Sequence, residues 1–132
     1  MTSAASGDYR FGKKFRLHGR KSIQELMSKG QSFNLYPFRV VYNENVSNAG
    51  LHFCISVAKR HFKKAVDRNK IKRLVRECLR HSHHALSERL IQKKSGLDIM
   101  LIYTAKEKEN QKKMMQVIMV ILNRLTTNNT SA

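Results

Sequence analysis

Apolar residues recur at two different spacings along this chain, and the changes of spacing divide it into elements. Between Lys21 and Lys29, Ile23, Leu26 and Met27 fall at helical intervals, and Gly30 supplies a stop. From Phe33 to Asn43 the chain is rich in aromatic and β-branched residues. Pro37 lies among them, which predicts two short strands or an edge position. Asn43 to Gly50 is a turn-rich connection. Leu51, Phe53, Ile55 and Val57 then alternate with His52, Cys54 and Ser56, as in a strand with one face in a core. A β-hairpin joining 38–43 to 51–57 is the expectation.

Farther on, Ile71, Leu74, Val75, Cys78 and Leu79 form one apolar stripe at helical spacing. This helix is expected to run on toward Ile91, with Gly96 marking its end. Asp98 to Tyr103 is a short apolar run that reads as a buried strand. Lys112 to Leu125 forms a last helix with Met114, Ile118, Ile121 and Leu125 on one face. With a short strand near Phe33 the order is α-β-β-β-α-β-α, an α+β protein with a mixed sheet packed by helices. Residues 1–10 and 126–132 show no periodicity and are expected to be disordered, leaving 11–125 as a single domain.

Charge changes this picture more than composition does. Lys and Arg total 26 against 9 acidic residues, a net charge of +17 on 132 residues. Self-repulsion of that size opposes compaction and is normally tolerated when a polyanion neutralises it. Nucleic acid is therefore the first partner to consider, ahead of an acidic membrane surface. Apolar residues make up 41%, enough for a fold rather than a basic tail. The longest apolar stretch, Met114 to Leu122, is too short to cross a bilayer. The N-terminus lacks the apolar core of a secretory signal. Cys54 and Cys78 are far apart and read as small buried hydrophobes. Together these predict a cytoplasmic protein without membrane association.

The charge is concentrated between Ala58 and Arg80. Lys59, Arg60, Lys63, Lys64, Arg68, Lys70, Lys72, Arg73, Arg76 and Arg80 meet only Asp67 and Glu77 there. Like charges four apart on a helix repel by a few tenths of a kcal/mol per pair (~0.2–0.5). The ladder Arg68–Lys72–Arg76–Arg80 is thus costly unless phosphates lie along it. Arg grips phosphate oxygens in bidentate fashion, whereas Lys supplies a point charge. Asn69 among them can read a base edge or a 2′-hydroxyl, or serve as a local cap. Neutralising roughly six phosphates would give log K a slope against log salt near −0.9 per contact on duplex, or about −0.7 on single strand.

The run Ile55-Ser-Val-Ala-Lys59-Arg60, followed by Lys64-Ala-Val-Asp-Arg68-Asn69-Lys70-Ile-Lys72-Arg73-Leu-Val-Arg76-Glu77, strongly resembles the central motif of bacterial ribonuclease P proteins. The family pattern is an Arg-Asn-Arg core, then Lys-Arg, then Arg-Glu; Lys70 stands where Arg is usual, keeping the charge and losing the planar fork. Weaker similarity extends through Arg16, Leu17 and Gly30 upstream and Asp98 downstream. The resemblance implies a two-layer α/β sandwich related to a ribosomal-protein domain, with the uncommon left-handed β-α-β crossover. It further implies that Lys64, Arg68, Asn69, Lys70, Lys72, Arg73, Arg76 and Arg80 bind a catalytic RNA. A separate cleft between the first helix and the sheet would hold the single-stranded 5′ leader of precursor tRNA. Carried over by position, that cleft includes Ile23, Met27, Tyr42, Ser56, Lys59 and Arg60. Phe is frequent in the family where Ile23 and Met27 stand, and neither residue has the ring that gives stacking worth about 1–3 kcal/mol per base. Tyr42 can stack on a base or pack on the core. No leader contact is assigned to Thr104 and Ala105, which replace a basic pair common in the family.

The resemblance implies an accessory subunit of a ribonucleoprotein endoribonuclease: a monomeric protein bound one to one with ribonuclease P RNA, which holds Mg2+ and carries the catalysis. No residue of the chain is assigned a catalytic role. The sequence agrees in lacking any carboxylate cluster for Mg2+ or any Ser-His-Asp or Cys-His arrangement. His81, His83 and His84, within four residues of one helix, cannot all converge on one metal and read as surface histidines. Two other readings remain at this point: a structural RNA binder of the ribosomal-protein kind, and a DNA-binding helix protein. The absence of a helix-turn-helix pair argues against the second.

Overall fold

A computed structural model describes residues 20–45 and 49–130, with side chains described for 23–45 and 49–127. The elements are α1 (Arg20–Lys29), β1 (Gln31–Leu35), β2 (Phe38–Asn45), β3 (Gly50–Val57), α2 (Ala65–Ser82), α3 (His84–Gln92), β4 (Gly96–Tyr103) and α4 (Gln111–Thr130). Pro37 separates two strands, as expected, and β1 and β2 form the hairpin around it. The expected N-terminal disorder and the matches at Arg16 and Leu17 lie outside the described residues.

The hairpin between 38–43 and 51–57 does not form. Sheet order is β1-β2-β4-β3, with β4 antiparallel to β2 and parallel to β3. Met100 thus has Val41 on one side and Cys54 on the other. The physical reason lies in β4 itself. Leu97, Asp98, Ile99, Leu101 and Tyr103 are all buried, so the strand belongs between neighbours, covered on both faces. Local periodicity sees the β2–β3 connection but not a later strand inserting between them. The β3–α2–α3–β4 unit is the crossover to which the resemblance assigns the left hand.

The helix expected to run from 68 toward Ile91 is two helices that meet at His83. Buried His83 accepts or donates through Nδ1 to Ser87 Oγ at 2.8 Å, and Ser87 N–H donates to the His83 carbonyl. Gly96 does not close the second helix; it opens β4. Closure falls earlier, at Lys94, whose φ of 54° is left-handed. Lys94 N–H donates to Ile91 O and Ser95 N–H to Leu90 O, the paired bonds that terminate many helices, here without the usual glycine. At the other end of the chain α4 continues to Thr130, past the apolar stripe that stops at Leu125 and into the tail expected to be disordered. Thr126 and Thr127 hydroxyls donate to the carbonyls of Leu122 and Asn123 and prolong it.

Strand alternation sorts the sheet into two faces. Phe38, Val40, Leu51, Phe53, Val57, Ile99, Leu101 and Tyr103 meet the buried stripes of α2, α3 and α4, and this layer is the main core. The opposite face carries Val41, Met100, Ile102, Cys54 and Ser56, and α1 packs over part of it. Leu26, 1% exposed, is its anchor, beside buried Val41. Gly30 permits this approach: a Cβ there would strike the Leu26 carbonyl and come within 3.0 Å of Val41 Cγ1 and Tyr42 O.

Candidate nucleic-acid interface

Helix α2 presents its cations because its other side is firmly seated. Ile71, Val75, Cys78 and Leu79 are buried, fixing the helix's rotation, so Asn69, Lys70, Arg73 and Arg76 are exposed. Lys72 lies on the flank toward β3, near enough to Cys54 for its ammonium to favour the thiolate there, although burial still leaves that thiol's pKa raised. Lys64 is exposed at the N-cap and caps nothing with its own side chain. Among the described residues no carboxylate lies within ion-pair distance of Lys64, Lys70, Lys72, Arg73 or Arg76. Six of the eight expected RNA contacts, these five cations and Asn69, therefore make no ion pair with a carboxylate, although Asp67 acts on Lys64 and Lys70 at longer range.

Two members differ. Arg80 is held by Glu77, with Nε donating to Oε2 at 3.2 Å and Nη2 to Oε1. Its hydrogen bond, and to a lesser degree that of His81, keeps the Glu77 carboxyl below its ordinary pKa. Arg68 turns to the backbone before the helix: Nη1 donates to Phe62 O at 2.8 Å and to Lys63 O at 2.9 Å. On a helical wheel Arg68 falls within the apolar stripe, between Val75 and Leu79, rather than in the basic arc.

The second expected group comes together only in part. Ile23 is half-buried and Met27 47% exposed on α1, on either side of Leu26 in the chain. Ser56 lies on the α1 face of the sheet, and exposed Lys59 and Arg60 follow β3 at its end. Tyr42 is a correction. It pairs with Ile99, a strand position of the opposite face, and its ring meets Phe33 at 5.9 Å while its hydroxyl donates to Gln31. The residue of β2 that shares the face of Ser56 is Val41, with exposed Arg39 two positions away beside Ile102. Both were missed because alternation gives two faces without saying which α1 covers; the register through β4 decides it.

A buried polar cluster also escaped the sequence. Asp98 accepts from His52 Nδ1 at 3.2 Å and from Asn45 Nδ2 at 3.2 Å, tying β4 to both neighbours. Elsewhere Asp67 accepts from Lys108 Nζ at 2.9 Å, a bond that lowers its pKa and links α2 to the segment before α4. Asp67, Glu77 and Asp98 are thus engaged structurally, and no three His, Cys, Asp or Glu residues among the described ones converge to hold a metal. No described helix is long and apolar enough to cross a membrane. His81 and His84 line an open groove with Met115 and Met119.

Fold and charge together define a small, strongly basic α+β protein with its cations concentrated on one helix. The chain belongs to the ribonuclease P family, whose model, described as Ribonuclease P, matches residues 11–126. It is 39% identical over 90 residues to the ribonuclease P protein component of Porphyromonas gingivalis, a match covering 67% of this chain and 64% of that relative. The matched region thus spans less than two thirds of that relative's length. Among solved structures it is similar to the RNase P protein of Thermotoga maritima, with a TM-score of 0.68 and 25% identity over 83% of this chain and 96% of that one. The Staphylococcus aureus RNase P protein shares the fold at a TM-score of 0.67 and 24% identity, covering 86% and 96% of the two chains.

Proposed function

We propose that this chain is the protein subunit of ribonuclease P, acting in the cytoplasm as a monomer in a one-to-one complex with the catalytic RNA. The exposed cations of α2 bind that RNA, and the α1 face of the sheet receives the 5′ leader of precursor tRNA. The RNA holds Mg2+ and performs the hydrolysis that leaves the mature 5′ end. The observation that carries this reading is the row Lys70, Lys72, Arg73 and Arg76, none of them in an ion pair among the described residues, on a helix immobilised by its buried side. Leaving such charges unpaired opposes folding of the free protein and favours a complex with phosphates. Lys72 acts on Cys54 of β3, which shares the α1 face with Ser56, so the two surfaces adjoin and one protein can touch RNA and leader together.

Reconstitution tests the proposal. Protein stripped of nucleic acid should leave precursor tRNA intact, yet restore cleavage by a bacterial ribonuclease P RNA at low Mg2+. Cleavage by the protein without RNA, or no stimulation of the RNA, would overturn it.

A further inference from the structure

The segment 58–64 between β3 and α2 carries Lys59, Arg60 and Lys63, and its own backbone bonds are few. The N–H groups of His61 and Phe62 donate to Ala58 O, both at 3.3 Å. Two side chains anchor it instead. Phe62 is buried, with its ring 6.1 Å from that of Tyr103. Arg68, one turn into α2, places the two hydrogens of Nη1 on the successive carbonyls of Phe62 and Lys63. That leaves donors on Nη2 and Nε for a phosphate.

We propose that Arg68 is a positioning residue: by bridging these two carbonyls it fixes the loop that presents Lys59 and Arg60, and so couples RNA binding on α2 to recognition on the α1 face. The inference rests on the reading in which Lys59 and Arg60 meet the leader. A lysine at 68 keeps the charge but has no planar fork with which to span both carbonyls. Charge and bracing are therefore separable by one substitution.

The test uses the full chain assembled with a bacterial ribonuclease P RNA. Two quantities are read: the salt dependence of protein–RNA affinity, and the preference of the complex for precursor over mature tRNA. Arg68→Lys should keep the wild-type salt slope while losing the leader preference by about tenfold, as for one charge-assisted hydrogen bond. Lys59→Ala with Arg60→Ala should lose the same preference, and Phe62→Leu, which changes no charge, should lose part of it. Arg68→Lys and Phe62→Leu both matching wild type in leader preference, with Arg68→Ala only flattening the salt slope by about one contact (~0.7–0.9), would reduce Arg68 to a phosphate ligand and overturn the inference. Should the double variant leave leader preference intact, the leader reading falls and this inference with it.

Discussion

Helix α2 and helix α1 both present residues expected to touch RNA, yet they are held in opposite ways. Four buried side chains seat α2 in the main core, whereas α1 rests on the far face of the sheet through Leu26. A surface meant to match a folded RNA benefits from cations fixed before binding, because less entropy is then lost on association. A surface meant for single strands of varied sequence tolerates a looser support. Preorganisation thus follows burial, and the two regions should fail differently.

The largest effect is expected on the rigid side. Arg73→Ala with Arg76→Ala should weaken binding to the catalytic RNA by about 2–4 kcal/mol, taking two charge-assisted bonds at incomplete additivity. The salt slope should fall by roughly two contacts, and the stability of the free protein should not decrease. Equal loss of leader preference would break the distinction between the regions. Leu26→Ala should do the reverse, costing about 2–3 kcal/mol in urea unfolding and loosening α1 while leaving affinity for the catalytic RNA nearly unchanged.

The two thiols offer a chemical version of the comparison. Burial on the inner side of α2, with Glu77 adding to it, pushes the Cys78 pKa up to about 11, while half-buried Cys54 lies on the α1 face. An unfolded Cys78 releases its proton near its ordinary value and the native one does not. The native state then binds more protons, and stability falls as pH rises from about 9 to about 11, by at most about 2–3 kcal/mol. Cys78→Ala should flatten that limb of the stability–pH curve, and alkylation of the native protein at pH 8 should modify Cys54 first. Smaller still, Met27→Phe should strengthen leader binding by about 1 kcal/mol through stacking, measured against mature tRNA. Glu77→Gln, which removes the carboxylate charge facing Arg80, should change RNA affinity by no more than about 0.5 kcal/mol.

Much of this was legible in the residues. Helical spacing located α1, α2 and α4, alternation located β3, and the charge ladder marked the basic face of α2. What periodicity could not supply was non-local. Tyr42 was assigned to the wrong face because the register that orients β2 comes from β4, more than fifty residues later. Arg68 looked like one more rung of the ladder, and only the loop folding back over it shows its guanidinium engaged. The left-handed turn at Lys94 had no glycine to announce it. Asp98 read only as the first residue of a buried strand, and its bonds to His52 and Asn45 depend on neighbours far away in the chain.

The insertion of β4 between β2 and β3 also sets an order of events during synthesis. Until residues 96–103 have left the ribosome, β2 lacks its inner neighbour and β3 has no neighbour at all, so the sheet cannot close on the first ninety-odd residues. Contacts separated this widely along the chain are slow to form. Nascent chains stalled before Tyr103 are thus left with the apolar sides of two strands uncovered; one eight-residue segment completes the sheet, and the core closes when α4 follows with buried Met114, Ile118, Ile121 and Leu125.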